Sequence, residues 1–230
     1  MNPYSSLWML ILSLVCSLSL AVASAQASCT DRPGPRIDWS GCGKARLLLH
    51  DDDFTGARFH RTNFRGSDLS RATLEKASLV KADLTRATLV RAQLVGADLT
   101  KALGHRTNLN EADLARANLT KSEFSRATFN QADLAGADMS KADFGRAAFR
   151  DASLKDANLT YSNLSRADFR RADLQGADLT GAYTYLTNFT AVDLSKVVGL
   201  TREQLHISCG DAQTKLPPEI QRPDVWSCID

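Results

Sequence analysis

A register of five runs through most of the chain without slipping, and few backbones can satisfy it. The positions spaced five apart from 54 to 194 number 29; seventeen are Leu, nine are Phe and one is Met139, and only Gly104 and Thr184 depart. Every Phe of the protein falls in this set of centres. Two residues before the centre stands Ala in 21 of the 29 cases, with Ser or Thr at most of the others, and the residue just before the centre is most often Asp or Asn. A period of five is neither the roughly 3.6 of an α-helix nor the 2 of a flat strand. A long unbroken period of short units points instead to a solenoid, in which each unit buries its apolar face against the next.

The ends of the chain are different in kind. All six Pro, all five Cys and all three Trp lie outside residues 43–208. A hydrophobic content of 43% with 28 Lys+Arg against 26 Asp+Glu excludes a disordered tail, a collagen-like repeat and a multi-span membrane protein. Leu7 to Val22 is an apolar run, shorter than the roughly 20 residues of a membrane-spanning helix, and Ala23-Ser24-Ala25 and Ala25-Gln26-Ala27 follow it. This reads as a secretory signal peptide, residues 1–25, cleaved after Ala25 or Ala27, although residues 1–6 lack the usual Lys or Arg. An uncleaved membrane anchor is the alternative. Export to the periplasm or beyond removes Cys16 and leaves Cys29, Cys42, Cys209 and Cys228. Four Cys in an oxidising compartment read as disulfides, with three pairings open. The spacings are not those of zinc sites, and His50, His60, His105 and His206 are scattered, so no metal or cofactor is expected.

The unit Ala-(Asp/Asn)-(Leu/Phe)-x-x, as in Ala82-Asp83-Leu84, Ala112-Asp113-Leu114 and Ala117-Asn118-Leu119, resembles the repeat of the pentapeptide-repeat family. The resemblance covers residues 54–194 without insertion and extends loosely to Ile37-Asp38-Trp39-Ser40-Gly41, with Trp39 as centre. The stretch Cys209-Gly210-Asp211 with Thr214-Lys215-Leu216-Pro217 looks like the tail of many proteobacterial members. The resemblance implies an all-β fold, a right-handed quadrilateral β-helix in which four units make a coil of 20 residues and the centres and small residues point inward. Physical chemistry agrees with that shape. A narrow interior accepts Leu or Phe only beside a small residue, Asp and Asn bond local backbone at each turn, and a Pro would delete a donor from the inter-coil ladder.

The expected organisation is a signal peptide, an N-terminal cap at 26–48, the β-helix at 49–196 and a C-terminal cap at 197–230. About seven coils at roughly 4.8 Å each place the ends too far apart for a disulfide, which needs Cα atoms within about 7 Å. The pairing expected is therefore Cys29 with Cys42 and Cys209 with Cys228. Thr201 and Gln204 predict a capping box on a short helix after Gly199. Gly104 and Thr184 each predict a local bulge in which Leu103 or Tyr183 replaces the missing core residue, with a binding notch as the functional alternative. Phe129, Phe149, Phe169 and Phe189 fall on one side of the column and Phe124 and Phe144 on the next, and both sets are expected in the core rather than along a ligand channel.

The outer surface carries the one hint of function. Two residues after successive centres stand Arg61, Lys81, Lys101, Lys121 and Lys141 along one corner, and Arg86, Arg106, Arg126, Arg146 and Arg166 along the adjacent one. These ten are the candidate anion-binding residues. Asp83, Glu123 and Asp143 lie between the stripes as partial compensation, and the plain reading is a solvated, partly ion-paired face. The sequence carries no phosphate loop, HExxH or nucleophile elbow, and Asp51-Asp52-Asp53 reads as a solvated lead-in rather than a cation site. The chain is therefore expected to be a non-enzymatic exported scaffold or interaction protein of unknown partner, a protein or an anionic polymer. The alternative is a polyanion-binding surface protein for cell-surface polysaccharide, phosphate-rich lipid or, last among them, nucleic acid. Some members of the family mimic DNA and protect gyrase, a role that implies a cytoplasmic chain with an acidic flank; this chain departs in its export, its basic stripes and its disulfide-stapled ends, so gyrase protection stands as the lesser alternative.

Overall fold

The computed structural model describes residues 28–223 and 226–228; the expected leader, residues 1–25, lies outside the described residues, as does Cys16. The backbone is a column of stacked coils. From Asp38↔Arg58 to Asp178↔Val198, the residue before a centre pairs in parallel with the residue twenty further on, with a gap at Asp173. Between bridges the chain turns. The residue two after the centre has positive φ at every such position from Arg36 to Ala191, comprising 25 non-glycine residues and seven glycines. An N–H three residues after the centre closes most turns onto the centre's carbonyl, as from Ala57 to Phe54 at 2.9 Å. Positive φ at the third turn position alone is the pattern of a type II turn, and four such turns fill each 20-residue period.

Every backbone donor of the unit has a destination, and this accounts for the residue types. In the unit 98–102, Asp98 N–H bonds down to Ala77 at 2.9 Å, while Leu99 and Lys101 bond up to Asn118 at 2.7 Å and Thr120 at 3.0 Å. Ala102 closes the turn onto Leu99 at 2.9 Å. The fifth donor, Thr100 N–H, is taken by the Asp98 carboxylate at 2.9 Å. A Pro at any of the five positions would thus delete a bond, and an Asp or Asn before the centre completes the set. The same cap recurs at Asp68, Asp113, Asn118, Asp138, Asn158 and Asp178.

Centres and small residues line the interior. All nine Phe are fully buried. Phe129, Phe149, Phe169 and Phe189 stack with ring centroids 4.9, 4.8 and 5.8 Å apart, and Phe124 lies 6.3 Å from Phe144. These rings fill the core. At roughly 1.5–3 kcal/mol for each buried Leu or Phe, the columns of centres dominate stability.

The bulges expected at Gly104 and Thr184 do not form. Asp83↔Leu103 and Asn163↔Tyr183 keep the 20-residue register, and Leu103 and Tyr183 stay on the outer face. The interior above Gly104 is filled from the next coil, because a Cβ at Gly104 would overlap the Phe124 ring. No notch is left there. Thr184 points inward, fully buried, and its hydroxyl donates to the Gln204 carbonyl at 2.8 Å.

The ends are closed by side chains and disulfides. The turn pattern already runs at Arg36, within the stretch assigned to the N-terminal cap, so the first coil belongs to that cap. Trp39 points inward at 1% exposure, and Lys44, in the centre register, places its Nζ 3.5 Å from the Trp39 ring and donates to the Cys29 carbonyl at 2.9 Å. Burial pushes the Lys44 ammonium below its ordinary pKa. Cys29 is bonded to Cys42, and Cys209 to Cys228. Helix α1 (Arg202–His206) starts at Thr201 with the full capping box, and the buried Gln204 amide donates to the Leu179 and Ala182 carbonyls at 2.8 and 2.9 Å. Past the helix, Cys209 and Lys215 resume parallel pairing with Asn188 and Asp193, so the C-terminal segment extends the column.

Candidate anion-binding face

The turns stack into four ladders of left-handed residues, each named here by one member. A side chain at such a position lies along the column over the turn of the next coil: Arg36, Arg46, Lys76 and Arg116 place their Cγ atoms 3.7, 3.8, 3.9 and 3.6 Å from where a Cβ would stand on Gly56, Gly66, Gly96 and Gly136. Long aliphatic stems therefore cover turn backbone, a packing role that Lys and Arg share with uncharged residues of similar length.

Two ladders are electrically compensated or diluted. In the Arg71 ladder, Asp51, Arg71, Arg91, Glu111, Gln131, Asp151 and Arg171 follow one another, and the acids pair with their neighbours one coil away: Arg71–Asp51 at 2.6 Å, Arg91–Glu111 at 2.7 Å and Arg171–Asp151 at 2.7 Å. The hydrogen bond from Arg71, then that from His50, pulls the Asp51 carboxyl down to about 2. Arg171 likewise holds Asp151 below the ordinary carboxylate value. Asp51 is thus committed to Arg71, and no group of three or more His, Cys, Asp or Glu among the described residues can hold a metal ion. The Lys76 ladder runs Arg36, Gly56, Lys76, Gly96, Arg116, Gly136, so glycine separates its cations.

The other two ladders are neither. Arg61, Lys81, Lys101, Lys121 and Lys141 form one, and Arg86, Arg106, Arg126, Arg146 and Arg166 the other, each an unbroken run of five. All ten are exposed, and among the described residues none of the ten side chains makes an ion pair or a hydrogen bond. The three carboxylates expected to offset them are engaged elsewhere. Asp83 binds Arg65 at 3.0 Å, Glu123 faces His105 at 3.3 Å, and Asp143 accepts from the Asn163 amide at 2.8 Å and the Gly145 N–H at 2.9 Å.

Two costs attend this choice of residue. Each position is left-handed, with φ between 57° and 60° from Arg61 to Arg166, where glycine sits without penalty and an L side chain costs on the order of 1 kcal/mol. Like charges one coil apart, roughly 4.8 Å, repel by about 0.9 kcal/mol even at the dielectric constant of water. A glycine would remove both costs, and a glutamine would remove the second while keeping the stem. Packing explains the stems, but it does not explain the charges.

The ladders end in side chains of another kind. One coil past Lys141 stands Tyr161, and one coil past Arg166 stands Leu186; between them on the same side are Tyr183 and Tyr185. All four are exposed, Tyr161 to 63% and Tyr183 to 53%. From the sequence, Tyr183 stood out only as a replacement for the core residue missing at Thr184. Continuing the count of twenty past the last cation of each ladder would have found Tyr161 and Leu186.

A parallel column of five-residue units defines the class, a β-helical solenoid. Its repeats match the model of the family Pentapeptide repeats in eight copies over residues 53–71, 67–103, 107–146 and 147–183, more than half of the chain, and the chain belongs to that family. Membership carries the right-handed β-helix-like fold and, in general, structural or interaction roles. Among curated proteins, none matches the chain. Among solved structures, HetL, a pentapeptide repeat protein involved in heterocyst differentiation regulation in the cyanobacterium Nostoc sp. strain PCC 7120, is 28% identical, with a TM-score of 0.41 over 82% of this chain and 90% of that one. QnrB1, a plasmid-mediated fluoroquinolone resistance protein, is 17% identical, with a TM-score of 0.38 over 76% and 94%. A thylakoid-lumen pentapeptide repeat protein of Arabidopsis thaliana is 25% identical, with a TM-score of 0.22 over 64% and 79%. No helix among the described residues is long and apolar enough to cross a membrane.

Proposed function

We propose that this chain is an exported, non-enzymatic scaffold whose working surface is the face between the two basic ladders, and that it holds an anionic polymer there. In this reading residues 1–25 are a leader, and the caps at 26–48 and 197–230 enclose a quadrilateral β-helix at 49–196. The two disulfides are compatible with a compartment outside the cytoplasm. One observation carries the binding role: ten exposed cations stand unpaired on turns that elsewhere in the same column are paired with acids or spaced by glycine. Regularly spaced, preorganised charge favours a polymer over a small anion, because each rung adds a contact without a new ordering cost. The gyrase-protecting role gains nothing from this surface, whose unpaired charge is positive. The test is retention of the mature chain on heparin and on phosphocellulose. Elution at high salt is expected, and the triple variant Arg106→Glu, Arg126→Glu, Arg146→Glu flows through. Flow-through of the parent at low salt, with capture of a protein partner by both forms, would overturn the binding role.

A further inference from the structure

The basic face ends in aromatic rings, and these bear on what kind of polymer it takes. Tyr161 succeeds Lys141 in its ladder and lies against the next turn, where its ring occupies the space a Cβ on Gly181 would need, at 2.6 Å. Tyr183 and Tyr185 project from the side between the ladders, nearly parallel at 12° with centroids 6.2 Å apart. Leu186 closes the second ladder, and its N–H bonds the Ile207 carbonyl at 2.6 Å, which anchors this edge to the C-terminal segment after α1. Five of the large hydrophobic side chains exposed on the column, Tyr161, Tyr183, Tyr185, Leu186 and Ile207, therefore gather at one end of the cationic face. Exposed aromatic clusters rimmed by charge mark binding surfaces, since a ring offers a large contact area at small entropic cost.

We propose, building on the polyanion reading above, that the polymer is an anionic polysaccharide, with its carboxylate or sulfate groups on the Arg and Lys rungs and a terminal sugar ring laid on Tyr183 and Tyr185. Each ladder holds its cations in line on successive coils, which suits an extended chain; the phosphates of a nucleic-acid duplex wind around an axis. The exposed Tyr rings offer flat aromatic faces to the C–H face of a pyranose. The disulfide-bonded caps are compatible with a compartment outside the cytoplasm, and a surface glycan is the polyanion this proposal takes from such a compartment.

The experiment compares three probes, an oligogalacturonate, a linear polyphosphate and an oligothymidylate, on the parent chain, on Tyr183→Ala/Tyr185→Ala and on Tyr183→Phe/Tyr185→Phe. The Ala pair is expected to weaken oligogalacturonate binding about tenfold with unchanged salt dependence and unchanged polyphosphate binding, and the Phe pair to restore it. Equal binding of oligogalacturonate by parent and Ala pair, with polyphosphate still bound, overturns the glycan inference and leaves the polyanion reading standing. Loss confined to oligothymidylate overturns it in favour of a single-stranded nucleic acid. Failure of the parent to bind any of the three defeats the polyanion reading itself.

Discussion

The Arg71 and Arg106 ladders run along the same column on equivalent turns, and their arginines share one backbone geometry, with φ of 57° at Arg71, 58° at Arg91, 58° at Arg106 and 59° at Arg126. They differ in company. Arg71 and Arg91 each hold an acid one coil away, whereas Arg106 and Arg126 have other arginines above and below. The fold can evidently neutralise a ladder by alternating acid and base every twenty residues, and it does so on one corner. A bare cationic ladder is therefore not something the β-helix requires. The same contrast explains how a net charge of +2 coexists with a strongly polarised surface: the acids are gathered into local pairs and backbone caps, and even Asp83, Glu123 and Asp143, which stand between the two basic ladders, bond other partners.

The contrast between the ladders is tested most severely by three charge reversals on each. Glu at Arg106, Arg126 and Arg146 should weaken binding to a linear polyanion by at least a hundredfold with little change in thermal midpoint. Glu at Arg71, Arg91 and Arg171 should do the reverse, since it sets acid against Asp51, Glu111 and Asp151; thermal unfolding with a binding titration reads both. A smaller effect is expected from behind the face. Gly104→Leu would force Phe124 out of its place beneath the Arg106 and Arg126 rungs and should cost about 1–3 kcal/mol by denaturant unfolding. Adding Phe124→Ala should restore much of that loss, and additive losses would show that the two sites do not share one space.

A single substitution can import the compensated pattern into the bare ladder. Arg126→Glu sets an acid between Arg106 and Arg146, and the midpoint of unfolding should rise slightly while polyanion affinity falls about tenfold. A fall in stability would mean that the arginines are retained for packing. The smallest effect is on the acid side. The Asp51 carboxyl sits at about 2 in the folded chain against about 3.9 when unfolded, so its contribution is present above pH 4 and is lost as pH falls towards 2. Asp51→Asn should flatten the fall in stability across that window, whereas substitutions in the basic ladders should leave it unchanged.

Much of this was legible in the chain, because a solenoid writes its fold as a period. The centres, the Asp and Asn caps, the cation stripes and the capping box at Thr201 and Gln204 all follow from local spacing. What was not legible depends on the neighbouring coil. Gly104 looks like a gap until Phe124, twenty residues on, is seen to fill it. The left-handed backbone of Arg and Lys was hidden for a different reason: these residues carry no propensity for positive φ, and only the seven glycines scattered through the same ladders hint at it. Whether a cation is paired depends on the residue one coil away, and Asp83, Glu123 and Asp143 found partners other than the stripes they stand between.

The most direct test of the bare ladders is the salt dependence of polyphosphate affinity for the parent chain and for Arg106→Gln, Arg126→Gln, Arg146→Gln, which keeps the stems and removes only charge. Plotted as log K against log salt concentration, the parent should give a steep negative slope, and the triple variant one shallower by about 2, near 0.7 for each lost contact on a single-stranded polyanion. Equal slopes for the two proteins would contradict the assignment of those cations to polyanion binding.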